Sequence, residues 1–176
     1  MVKVTPRPLK LPANAARVRL ENKALWNEAR SPDCADFYTC GYEGRKTNDF
    51  FSALRQAGVR SLLDIRFNPV SMYRPELSKS NLEKIAWSFG MDYLHVREWG
   101  VPREIRAKAA RTGTREAIWE WYDAFVVEPN FGRNLHRFLN LDHPVAMMCV
   151  ECDPTECHRH RIFMALENQG LRGFDL

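Results

Sequence analysis

The chain has 176 residues, 45% of them hydrophobic, and a net charge of +4, which suits one domain with a real core. Its longest unbroken apolar run, Val145 to Val150, is too short to span a membrane, and the opening MVKVTPRPLK lacks the apolar centre of a secretory signal. Five cysteines, an odd number with three between 149 and 157, argue against a secreted disulfide framework and for a reducing cytoplasm.

The charge is unevenly placed. Residues 1–33 hold seven Lys or Arg against three Asp or Glu, and residues 34–176 hold nineteen of each. The excess therefore lies in an extension punctuated by Pro6, Pro8, Pro12 and Pro32, with Ala13 to Ala29 able to form a helix. This arm either packs on the domain or meets a partner. The neutral remainder, residues 34–176, leaves room for a local basic pocket rather than a broad nucleic-acid-binding face.

Asp36 to Cys40 reads as a strand, and Gly41-Tyr42-Glu43-Gly44 as the turn leaving it. Thr47 caps a helix running to about Ala57 on an apolar face of Phe50, Phe51 and Leu54, closed by Gly58. Val59 to Arg66 is a second strand, apolar through its middle and so covered on both faces, and Asn68-Pro69 breaks it. Ser80 to Phe89 reads as a helix and Met91 to Val96 as a third strand. Gly100 to Gly113 is a basic excursion. Thr114 to Val127, with Trp119, Trp121, Tyr122 and Phe125, and Gly132 to Leu139 read as two helical stretches.

A fourth strand follows Pro144. Asp153 at the N-cap, Pro154 at the first helical position and Glu156 in a capping box then predict a helix from Pro154 to about Gln169. A short strand near Phe174 ends the chain. Strands alternating with helices mean a single three-layer α/β domain, its sheet mainly parallel and flanked by helices.

In such a sheet ligands bind beyond the carboxyl ends of the strands. That rule gathers Tyr42 and Glu43 after the first strand, Arg66, Asn68 and Ser71 after the second, and His95 and Arg97 after the third. Cys149, Glu151, Cys157, His158 and Arg159 follow the fourth. Cys157 in a first helical turn beside Arg159 and Arg161 would be a thiol of depressed pKa, hence a nucleophile; alternatively it packs under the turn. Glu151, Glu43 and Tyr42 are the other candidates for chemistry. Arg66 ends a buried strand, so it is either paired by Asp64, Glu43 or Glu151 or holds a phosphate. Arg159 and the predicted helix start would hold the same anion, with Asn68, Ser71, His95 and His158 around it. His158 shares a face with Ile162, Ala165 and Leu166, which turns it inward.

Cys149, Cys152 and Cys157 approach zinc-ligand spacing, but Cys149 lies in a strand rather than a knuckle, so no metal and no cofactor is assigned. Between 97 and 115, six Arg or Lys against two Glu make either a solvated helix face or a basic lid over an anion. The aromatic residues at 119, 121 and 122 are at helical spacing and read as core.

The closing run Cys149, Glu151, Asp153, Pro154, Cys157, His158, Arg159 resembles the end of the domain-of-unknown-function 488 family, whose pattern is Cys-x-Glu, Asp-Pro, Cys-His-Arg. Thr39-Cys40-Gly41-Tyr42-Glu43, Asp64-Ile65-Arg66 with Pro69 and Ser71, and Tyr93 with His95 are similar to its earlier motifs. Cys40, Cys152 and Glu98-Trp99-Gly100 depart from it, and residues 1–33 fall outside. The resemblance implies the α/β fold and the rim as the site, without a reaction. Together these readings point to an enzyme-like protein handling a phosphate-bearing ligand, a nucleotide or nucleic acid. A non-catalytic nucleic-acid-binding module and a cysteine-based metal or redox sensor are the alternatives. Oligomeric state is left open.

Overall fold

The computed structural model describes residues 35–176, with residues 130–134 and 137 described by their backbone alone. The basic extension and both readings of it lie outside the described residues. Five parallel strands form the sheet: β1 (Phe37–Gly41), β2 (Ser61–Asp64), β3 (Asp92–His95), β4 (Val145–Cys149) and β5 (Gly173–Asp175), in the order β3-β2-β4-β1-β5. β4 is central, paired to β1 and β2, and all five of its residues are buried. A strand covered on both faces needs apolar residues at every position, which is why VAMMC is an unbroken run.

The pleat divides that run. Val145, Met147 and Cys149 point into one core with Trp99, Tyr122, Phe138 and Ile162, and Ala146 and Met148 into another with Phe50, Phe51, Leu54, Leu82 and Ala86. α1 (Thr47–Gln56) and α2 (Lys79–Ser88) cover the second face. The first is covered by α3 (Arg103–Thr112), α4 (Glu116–Tyr122), α5 (Glu128–Leu139) and α6 (Arg159–Glu167). This is the three-layer α/β arrangement expected. Each larger side chain sealed between layers contributes about 1.5–3 kcal/mol.

Thr47 does not cap α1: it is the first helical residue, the N-cap is Lys46 with no side-chain cap hydrogen bond, and the Thr47 hydroxyl donates to Glu76 at 3.2 Å. Two further stretches differ from expectation. α4 and α5 are not separate helices: a π-helical turn at Asp123–Val127 joins them. Pro129 falls just after that turn, where the regular ladder is already interrupted and a missing N–H costs little. The helix expected from Pro154 is also broken. Pro154–Glu156 is one 3-10 turn, Cys157 is extended at φ −117° and ψ 142°, and α6 begins only at Arg159. Asp153 does cap, accepting from the Thr155 N–H at 2.8 Å, but Glu156 does not complete a box and pairs with Arg115 instead.

Beyond β2 the chain crosses to α2 and β3 at one edge. Beyond β4 it crosses to α6 and β5 at the other, over the opposite face. The carboxyl ends of β2 and β4 are therefore the switch point of this sheet, where a crevice opens between diverging connections.

Candidate functional site

Arg66 leaves β2 pointing inward. Its Nε donates to Asp64 Oδ1 at 2.9 Å, Nη2 to Asp64 Oδ2 at 2.6 Å and to the Leu77 carbonyl at 2.9 Å, and Nη1 to the Tyr42 hydroxyl at 3.2 Å. Tyr93 donates to the same carboxylate at 2.8 Å. Asp64 is fully buried and Arg66 is 5% exposed. Of the two readings of Arg66, the geometry is that of the internal ion pair. Burial works against the guanidinium, yet Asp64 outweighs it and raises the Arg66 pKa. Burial, then the Asp64 charge, raises the Tyr93 pKa as well.

Arg159 is also an inside residue, 1% exposed. Its guanidinium donates to the carbonyls of Glu151 and Cys152, the latter at 2.9 Å, and to Thr39 Oγ1 at 3.4 Å, with Asp175 at 3.9 Å. It clamps the strand-end loop to β1 and spends its donors doing so. Thr39 in turn donates to Asp175.

Between these arginines sit Cys149, Glu151, Cys157 and His158, whose ligand atoms all lie within 4.8 Å of one another. Cys149 Sγ donates to Glu151 Oε2 at 3.3 Å, and His158 Nδ1 lies 3.9 Å from each of the two sulfurs. The extended backbone at Cys157 turns its thiol inward under α6, where the Arg159 N–H meets it at 3.5 Å. The depressed thiol expected of Cys157 is thereby reversed. Burial, then the neighbouring Cys149, pushes it well above its ordinary value and outweighs the lowering by His158. Burial alone would raise the Glu151 carboxyl, but hydrogen bonds from Cys157 and its own backbone, the His158 charge and Cys149 hold it below the usual range. Burial disfavours the His158 cation, but Cys157, Glu151 and the Ile65 carbonyl outweigh that and raise its pKa.

A pocket of about 500 Å³ opens over this cluster. Cys149, Glu151 and His158 form part of its lining, Tyr42, Arg66 and Asn68 flank them, and Ile118, Trp119, Arg106 and Arg115 come from the basic segment and α4. Arg115 is held by Glu156 at 2.8 Å and lies 3.9 Å from Glu151; Arg106 is exposed. Trp119, read from spacing as core, is half-buried and also faces this pocket. The Arg and Trp of this wall were legible only as a dense positive run followed by aromatics.

The other expected residues scatter. Glu43 is exposed and its Oε2 accepts the Cys152 N–H at 3.4 Å; Ser71 organises its own loop, accepting from the Arg74 N–H at 3.2 Å. His95 Nε2 contacts the Arg66 carbonyl at 2.8 Å, fixing that turn from behind. Tyr42 is nearly buried against Arg66, and burial raises its pKa. Cys152 is exposed and stands apart from Cys149 and Cys157, so the three cysteines do not form one ligand set; Glu151 and His158 complete the cluster instead.

These placements predict a wide spread in thiol reactivity. Burial pushes Cys40 up to about 12, which leaves it roughly a thousandth of an ordinary cysteine's thiolate at neutral pH. Iodoacetamide should label Cys152 quickly in the native protein, and Cys40 and Cys157 only after unfolding. Peptide mass spectrometry reads this directly, and equal native labelling of Cys40 and Cys152 would contradict the buried placement.

Residues 46–166 match the family model described as Domain of unknown function DUF488. No curated protein and no solved structure matches the chain.

Proposed function

The chain belongs to the DUF488 family, and from that premise we propose that it is an enzyme acting on a small anionic molecule with a flat apolar body, of the nucleotide class. The observation that carries this reading is the pocket at the β2–β4 switch point. It joins the exposed cations Arg106 and Arg115, an aromatic wall and a cluster of reactive side chains in one space of about 500 Å³. That is the size and mixed lining of small-molecule sites.

In this reading exposed Arg106 takes the phosphate, joined by exposed Arg115 turning from its Glu156 contacts, rather than Arg66 and Arg159, which are buried with their donors spent internally. Trp119 and Ile118 take the apolar part, and Asn68 on the exposed rim offers an amide to it. Cys149, Glu151 and His158 are the groups that face the bound molecule with proton-transfer or nucleophilic capacity. Cys157 acts through them, since it lies beneath His158 and does not line the pocket.

A thermal-shift screen of nucleoside mono- and diphosphates tests the reading, because a ligand of the native state alone raises stability by RT ln(1 + [L]/Kd). AMP or a related compound should raise the melting temperature. Arg106→Ala and Arg115→Ala should each weaken binding by about 10- to 100-fold, the worth of a charge-assisted hydrogen bond. A shift unchanged in both variants, or no shift with any nucleotide or phosphosugar, sinks the proposal.

A further inference from the structure

We propose that Cys149, Glu151, Cys157 and His158 together bind one divalent metal ion of the zinc class, with Glu151 as the ligand that exchanges with the pocket. The inference does not rest on the pocket reading: with the ion bound, Cys149, Glu151 and His158 serve as ligands rather than as free acid–base or nucleophilic groups, and the anion-binding part of that reading, at Arg106, Arg115 and Trp119, stands apart from it.

The first support is distance. A tetrahedral zinc ion with bonds of about 2.0–2.3 Å holds its donors roughly 3.3–3.8 Å apart. Here Cys149 Sγ and Glu151 Oε2 are 3.3 Å apart, and His158 Nδ1 is 3.9 Å from both sulfurs. All four donors fall within 4.8 Å of one another, so small side-chain rotations complete the set.

The second support is the far side of the imidazole. His158 Nε2 lies 3.3 Å from the Ile65 carbonyl. A carbonyl can only accept, so that contact puts a hydrogen on Nε2. In the neutral ring it leaves the lone pair on Nδ1, 3.9 Å from each sulfur; Cys149 Sγ is also 4.0 Å from Nε2, so that thiol lies about midway between the two nitrogens and a side-chain rotation brings it to Nδ1. A metal-ligating histidine is oriented in this manner, through a hydrogen bond from its other nitrogen to a carbonyl or carboxylate.

The third support is rigidity. Cys149 ends the central strand, in register with Gly41. The loop that carries Glu151 back towards Cys157 is pinned by Arg159 through the Glu151 and Cys152 carbonyls and by the Asp153 cap. Two sulfurs, a nitrogen and one carboxylate oxygen suit zinc, and not magnesium or calcium, which take oxygen donors.

Exposure then divides the ligands. Cys149, Cys157 and His158 are 2%, 1% and 8% exposed, whereas the Glu151 side chain is 29% exposed and within reach of Arg115. Three fixed ligands and one exchangeable carboxylate leave a metal coordination position that an incoming anion can take from the pocket side.

The test uses the full chain, reduced and stripped with a chelator. Zinc is titrated against a chromophoric competitor, and cobalt(II) is added as a spectroscopic probe. One equivalent of metal is expected, with a thiolate-to-cobalt charge-transfer band and the visible bands of a tetrahedral site. Cys149→Ser and Cys157→Ser should weaken zinc binding by more than about 100-fold, Glu151→Gln should weaken it less and keep the charge-transfer band, and Cys152→Ser should match the parent. Because a serine at a buried cysteine can unfold the domain, a second measurement needs no substitution. Zinc should protect Cys149 and Cys157 from alkylation under mild denaturant while Cys152 stays reactive, and a chelator should reverse this.

A reduced, folded chain that takes up no stoichiometric metal overturns the proposal, and so does uptake that depends on Cys152. Zinc uptake with no nucleotide-induced thermal shift sinks the pocket reading alone. A nucleotide shift with no metal uptake sinks this one alone.

Discussion

Arg66→Ala is expected to lower the unfolding free energy by about 3–5 kcal/mol, the cost of stranding one partner of a buried ion pair. Asp64 has no exposed surface, and Arg66 supplies two of its side-chain hydrogen bonds. Alanine would leave that carboxylate with Tyr93 as its side-chain donor. It would also free the Leu77 carbonyl and the Tyr42 hydroxyl, which share the same guanidinium. In thermal denaturation the loss should appear as a fall of roughly 6–20 °C. Removing both charges, as in Asp64→Leu with Arg66→Met, should recover much of it, since replacing a buried pair by apolar groups is often neutral. A loss below about 1 kcal/mol for Arg66→Ala would mean that water reaches the pair, and the guanidinium would again be a candidate for an external anion.

Gly41→Ala should be comparably damaging for a different reason. A Cβ at Gly41 would stand 1.8 Å from the Glu151 carbonyl oxygen, 2.5 Å from its carbon and 2.9 Å from Cys152 Cα. All three are backbone atoms, and Arg159 holds that loop in place. No side chain can rotate out of the way, so β1 and the strand-end loop must separate. The expected loss is at or above the ~3 kcal/mol upper end of ordinary overpacking. Whatever fraction stays folded should bind zinc more weakly, because Glu151 moves with its carbonyl. Gly44→Ala in the same turn is the control. Gly44 has φ +73° and nothing within 4 Å, so alanine there costs only the left-handed conformation, about 1–2 kcal/mol. Urea melts of the two variants compare clash with conformation, and equal losses would refute the close approach at Gly41.

Both expectations bear on how the motifs divide. In Thr39-Cys40-Gly41-Tyr42-Glu43, threonine anchors Arg159, glycine admits the neighbouring loop, tyrosine meets Arg66 and glutamate meets the Cys152 N–H. Asp64 and Arg66 form one buried pair. These segments brace the site from behind. The closing Cys-x-Glu and Cys-His supply the clustered functional groups themselves, while the Asp153 cap and Arg159 hold their loop.

The alternation of elements and the gathering of these polar side chains at the strand ends were readable from the sequence alone, because both follow from local signals and the parallel sheet. An apolar run such as Val145 to Cys149 can only be a strand covered on two faces when turn residues bound it so closely. The prolines, glycines and the Asp153 cap mark their boundaries within a few residues. The fate of each charged or titratable side chain was not readable, because it depends on which acceptor arrives from elsewhere in the chain. Arg66 is occupied since the Leu77 carbonyl and Tyr42 fold over it, and Arg159 since the carbonyls of Glu151 and Cys152 turn towards it. The same holds for the break at Cys157, where inward packing of a thiol overrides a sequence that would otherwise continue from turn to helix. His158 is the sharpest case: the nitrogen it offers to the two sulfurs is chosen by the Ile65 carbonyl, 93 residues earlier in the chain, and only the packed sheet brings that acceptor within reach.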